Sequence, residues 1–163
     1  ILFIKIMKFN FLLFIFLLLF SCNRESEDLK QWSKIIDLHT AKDYDDCLVN
    51  LHSLIDLYPN SIKIPDVYFL ISEIYMNEYK EYDISLSYLK LILDKYPDHE
   101  LSKKSLFTLG YINANYLEAY TRATYYYNKF LTTYPDDDLV PSVNYELDNL
   151  SNLNLKVKSL LKN

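Results

Sequence analysis

One dipeptide returning in step constrains this chain more than any other feature. Tyr58-Pro59, Tyr96-Pro97 and Tyr134-Pro135 stand 38 residues apart. The same step carries Tyr44 onto Tyr82 and Tyr120, Leu51 onto Leu89 and Tyr127, and Leu54 onto Ile92 and Phe130. It also superposes the small residues Cys47, Ser85 and Ala123. A fixed period of this length marks a stacked repeat, in which each unit buries one face on its neighbours. The chain has a single glycine, Gly110. That scarcity argues against tight β-turns and phosphate-cradling loops, and long apolar-periodic stretches without glycine read as helices.

Each period divides into two helices. The first unit predicts a helix over about 26–38, with Ser26 as N-cap and Glu27 and Asp28 in its first turn. A turn at Ala41 to Asp43 leads into a second helix, about 44–57, whose Tyr44, Cys47, Leu48, Leu51, Leu54, Ile55 and Tyr58 share one face. Pro59 ends it, because its ring lacks an N–H and disfavours helix in the residue before. Pro65 suits the first turn of the next helix, which is expected to run to about Tyr79. Asp83 reads as the N-cap of its partner. In the third unit Thr121 or Tyr120 opens the second helix, and Asp136 to Asp138 read as an exposed acidic turn. A fourth first-helix is expected from Pro141, which lies 76 residues after Pro65. Its tail, with Leu155, Val157, Leu160 and Leu161, is expected as a separate closing helix over the last stripe. The expected units are 26–59, 60–97, 98–135 and a partial 136–163.

The N-terminus reads differently. Lys5 and Lys8 precede an apolar run, Phe11 to Phe20, then Ser21-Cys22. A positive region, a short apolar run and a small residue before the cut describe a secretory signal over 1–21, with Met7 as its start. A run of 10 apolar residues is short of the ~20 needed to span a bilayer. Without Lys5 and Lys8, 15 of the 17 basic residues face 22 acidic ones, a net charge of −7. Such a chain without a basic stripe is a poor nucleic-acid binder. Cys47, at the small-residue position, reads as a buried thiol or as the partner of Cys22 in a disulfide.

Leu19-Phe20-Ser21-Cys22 resembles a bacterial lipobox, which implies acylation of Cys22 as the first mature residue and a lipidated tether over 22–25. The alternative is an ordinary signal peptide cut nearby. Asn23, in place of Asp, implies sorting to the outer membrane. The repeat units resemble tetratricopeptide repeats. Leu109-Gly110 resembles the Leu-Gly pair of the first helix; Ala123, Tyr127, Phe130 and Pro135 resemble the Ala, aromatic, packing and Pro positions of the second. The resemblance implies an all-α, TPR-like α-solenoid of helix-turn-helix hairpins, about three and a half repeats long. Long period, Tyr-Pro endings and lipobox together resemble the periplasmic lipoproteins of outer-membrane β-barrel assembly, the BamD type, and the tetratricopeptide segment of the Tol-Pal coordinator family. The first likeness implies a non-enzymatic scaffold contacting envelope proteins, lipid-anchored on the periplasmic side of the outer membrane. The second implies a module that binds peptide or peptidoglycan fragments in its groove.

No catalytic pattern stands out. His39, His52 and His99 are scattered, with no H-E-x-x-H, Walker or G-x-S-x-G motif, and no cofactor is expected. Asp136 to Asp138 lack the spaced ligands and glycine of a calcium loop, so no metal is expected either. First helices of stacked hairpins line the concave face. There Asn77 and Asn115 share a repeat position, as do Glu73 and Tyr111 one turn earlier, with His39 the first-unit equivalent of the Asn pair. Asn can bond an extended peptide's backbone as both donor and acceptor, and Tyr offers rigid amphipathic contact. The competing reading is that both Asn residues simply end their helices.

Overall fold

In the computed structural model, residues 26–160 are described. The expected signal segment over 1–21, the expected tether over 22–25 and with it Cys22 lie outside them. The fold is all-α. The seven helices among the described residues are α1 (Glu27–Thr40), α2 (Tyr44–Leu57), α3 (Ile64–Ile74), α4 (Tyr82–Lys95), α5 (Glu100–Asn115), α6 (Tyr120–Thr133) and α7 (Val140–Leu160), and a π turn, Tyr75–Tyr79, continues α3. Each helix packs on its chain neighbours. Beyond these pairs, backbones approach only between α3 and α5 and between α5 and α7.

The 38-residue step holds in the backbone. Tyr58, Tyr96 and Tyr134 end α2, α4 and α6 with φ of −131°, −135° and −131°. Each donates its N–H four residues back, to Leu54, Ile92 or Phe130. At the other end of each hairpin one residue is left-handed: Lys42, Lys80 and Glu118, with φ of 61°, 59° and 49°. A single αL residue turns the chain sharply enough to lay the second helix back on the first. The following helices therefore start on the tyrosines Tyr44, Tyr82 and Tyr120. This corrects the cap expected at Asp83. Glu81 is the cap residue, and Asp83 lies in the first turn, where its charge favours the helix N-terminus.

The core follows the period. Cys47, Ser85 and Ala123, Leu51, Leu89 and Tyr127, and Leu54, Ile92 and Phe130 are all fully buried. The sequence did not expose a slip in the first helices. In the second unit Glu81 N–H reaches back six residues to the Tyr75 carbonyl across the π turn, whereas Asp43 N–H reaches back five, to Leu38. A π turn adds one residue to a helix end. The helix therefore does not run straight to Tyr79, and Trp32 corresponds to Phe69 at a step of 37, while Phe69 to Phe107 keeps 38.

Hydrogen-bonded clamps tie unit to unit. Ser61, His99 and Asp137 share one repeat position, and each accepts the N–H two residues on, from Lys63, Leu101 and Leu139. Ser61 Oγ also donates to Asp28 Oδ2 of α1 at 2.5 Å, and Asp137 Oδ2 accepts from Lys103 Nζ of α5 at 2.7 Å. Asp137 is thus paired and half-buried rather than part of a freely solvated acidic turn. At the hairpin end the Tyr79 hydroxyl donates to Asp45.

α7 copies α5 on one face only. Val143 and Leu150, at the positions of Ser105 and Ile112, are buried. Asn144, Tyr145 and Asp148, at the positions of Leu106, Phe107 and Gly110, are exposed. The expected separate closing helix is not formed, because α7 runs unbroken from Val140 to Leu160. What Leu155, Val157, Leu160 and Leu161 cover lies outside the described side chains and residues.

Gly110 marks the tightest approach. A Cβ there would stand 2.4 Å from Cε1 of Tyr127, a ring fully buried beside Phe107. Gly110→Ala is expected to lower stability by about 1–3 kcal/mol in urea unfolding, despite alanine's better helix propensity. Pairing Gly110→Ser with Tyr127→Leu copies Ser72 and Leu89 of the second unit, and should recover part of that loss. Wild-type stability in Gly110→Ala would overturn this packing account.

Candidate functional site

The five residues singled out on the first helices do not form one row. The register slip explains why. At a step of 37, His39 corresponds to Met76 rather than to Asn77. His39 is half-buried, its ring edge-on to Tyr44 at 5.9 Å. It does bear on Glu73, whose carboxyl is pushed up by burial while the charges of His39 and Lys104 pull it back. Asn77 is exposed in the π turn, and its carbonyl accepts from Lys80 Nζ at 2.6 Å.

Tyr111 and Asn115 belong to a second place, where α5, α6 and α7 meet. An open cleft of about 460 Å³ lies there, lined by Tyr111, Ala114, Asn115, Glu118, Tyr120, Tyr145, Glu146, Asn149, Leu150 and Leu153. Three tyrosines, two amides and two carboxylates line it, with no cation among the described lining residues. Asn115 is exposed and donates one Nδ2–H to its own helix at the Tyr111 carbonyl, 3.1 Å away, so its Oδ1 and second N–H are left for a ligand. Burial raises the Tyr111 phenol, helped by Tyr116 and by the Glu146 carboxylate. Tyr111 therefore stays neutral and a donor near neutral pH. Its ring continues an aromatic run: stacked on Phe107 at 6.3 Å, edge-on to Tyr116 at 5.8 Å, with Tyr116 in turn flat on Tyr82 at 4.6 Å. Rings at such spacings hold each other in place.

Tyr116, Glu118, Tyr145 and Glu146 escaped the sequence reading. Tyr145 had a signal, since it takes the place of Phe107 and is 65% exposed where Phe107 is half-buried. Glu118 is also the left-handed turn residue, and nothing in its identity announces that.

The groups that line this cleft can stack and form hydrogen bonds. Among the described residues no group of three or more His, Cys, Asp or Glu converges on a point where a metal ion could sit. Cys47 is a free, fully buried thiol, 3.7 Å from the Ile35 carbonyl. Burial pushes it up from its ordinary value, which leaves little thiolate to react. No described helix is long and apolar enough to cross a membrane. No family model matches the chain, and no curated protein sequence matches it significantly.

Glu73 gives a pH test. Its folded-state pKa is raised above the ordinary 4.5, so ionisation in the folded protein costs stability once the pH exceeds that value. Below it both states are protonated and the cost vanishes. Glu73→Gln is expected to unfold at higher urea concentration than wild type at neutral pH, with the two converging at acid pH. A gap unchanged with pH would show that the carboxylate is fully hydrated.

Proposed function

We propose that this chain is a non-catalytic scaffold: a TPR-like solenoid held by lipid on Cys22 at the periplasmic side of the outer membrane. It binds a partner protein in the cleft between α5, α6 and α7, and serves outer-membrane β-barrel assembly. The observation that carries the reading is that cleft, where the rings of Tyr111, Tyr120 and Tyr145 meet amide and carboxylate acceptors between α5, α7 and the start of α6. Three near-identical hairpins, each with a left-handed turn residue and a Tyr-Pro end, support the repeat assignment. Open, shallow sites lined by aromatic and amide groups suit an extended or helical peptide better than a reacting small molecule.

A second reading keeps the same cleft. Tyr111, Tyr120 and Tyr145 beside Asn115 and Asn149 also offer flat faces and amides to a cell-wall fragment. Photo-crosslinking from position 145 separates the two. The scaffold reading expects capture of a protein lost on Tyr111→Ala, and recovery of glycan fragments alone would favour the second.

The anchor is tested independently. Incorporation of a clickable fatty acid in a lipoprotein-processing bacterium should disappear in Cys22→Ala. Labelling that persists in that variant would place the lipid elsewhere and end the anchor assignment.

A further inference from the structure

Two exposed apolar side chains share one turn. Leu57 and Ile62, flanking the Tyr58-Pro59 end of α2, are 65% and 76% exposed. Their repeat equivalents are Lys95 and Glu100 after α4, and Thr133 and Asp138 after α6. Three turns of matching backbone thus differ in chemistry: two are polar and the first is apolar. Nothing in the packing of the hairpin demands this, because neither side chain reaches the core.

The position of that turn supplies a reason. Ser61, one residue before Ile62, donates to Asp28 of α1 at 2.5 Å. The turn is therefore fastened to the first turn of α1, where the described chain begins. Four residue steps separate Cys22 from Ser26, a reach of at most about 14 Å when fully extended. If lipid on Cys22 holds that residue at the bilayer, this turn is an apolar surface fastened to the helix end nearest it, and the polar turns belong to the later units.

We propose that the α2–α3 turn is a membrane contact, with Leu57 and Ile62 inserted in the headgroup–acyl boundary of the bilayer to which the chain is anchored. The inference rests on the anchor assignment of the preceding subsection. Its effect is orientational. A lipid on Cys22 alone sets no orientation for the stack, whereas burying two apolar side chains beside it fixes one end of the stack on the lipid. The α5–α6–α7 cleft, in the last unit, is then carried away from the surface.

The test uses the acylated chain, produced in a lipoprotein-processing bacterium and reconstituted into phosphatidylethanolamine–phosphatidylglycerol vesicles. In a Cys47→Ala background, the small residue the third unit uses, an NBD probe is attached at Ile62→Cys, or at Glu100→Cys or Asp138→Cys as controls. Flotation with the vesicles reports the anchor, and the probe reports the turn. Expected are flotation, a blue-shifted and several-fold brighter emission at position 62 alone, and its quenching by nitroxide-bearing lipids. Leu57→Asp should return that emission to the level of the controls. Flotation with a position-62 probe as wet as the controls would overturn the membrane contact and leave the anchor standing. A bright emission that lipid nitroxides do not quench would mean that protein covers the turn, and overturns it too. Failure to float would remove both.

Discussion

Close approach of the two helices in each hairpin is the contact on which the structure depends. It is made where Cys47, Ser85 and Ala123 enter the second helix, all three without solvent exposure. A larger side chain there would hold the helices apart and lift Leu51, Leu89 and Tyr127, one turn on, out of the core. The approach also needs a sharp reversal just before, which Lys42, Lys80 and Glu118 supply with left-handed backbone. A non-glycine residue in that region costs about 1–3 kcal/mol. The chain accepts this strain three times, and the burial that each reversal makes possible outweighs it. Units of this kind stabilise one another mainly through nearest neighbours. The contacts recorded here obey that limit, since α3–α5 and α5–α7 are the longest-range backbone approaches.

Much of this was legible because the second helices keep strict register. Their tyrosines, small residues and Tyr-Pro ends repeat at 38 residues without exception, and buried positions in a helix advertise themselves through spacing alone. The first helices were less readable. One residue added in a π turn leaves the apolar pattern intact while shifting every match by one, so His39 seemed to stand in the row of Asn77 and does not. The hydrogen bonds that shape the turns between units were invisible for a different reason. Ser61, His99 and Asp137 are chemically unlike, yet each accepts the N–H two residues on. Repetition of a hydrogen-bonding role does not require repetition of a residue. The end of α6 likewise gave no sign that α7 would continue as one helix, because a polar face reads equally well as a helix or as a tail.

The cleft lies where α7 departs from the pattern of α5. α7 presents Val143 and Leu150 to the third unit, as a further first-helix should. On its other side Asn144, Tyr145 and Asp148 replace Leu106, Phe107 and Gly110. The rings of Tyr111, Tyr120 and Tyr145 meet beside that exposed stretch.

Three buried polar atoms lack a hydrogen-bond partner among the described residues, Ser85 Oγ in the second unit and two in the third, Asn113 Oδ1 and the Tyr127 hydroxyl. The second unit fills the Tyr127 position with Leu89, equally buried and with nothing to satisfy. A lone buried hydroxyl costs about 1–3 kcal/mol by mutational measures, so the third unit is less stable than its own repeat pattern allows. The Tyr127 phenol is pushed well up, by burial first and then by Glu146 and Tyr111. Unsatisfied buried polar groups call for an explanation, and packing gives none, because leucine serves the same place in the same fold. Tyr127 lies close enough to Tyr111 and Glu146 for both to act on its phenol, so the buried hydroxyl that the second unit does without is coupled electrostatically to two residues that line the cleft.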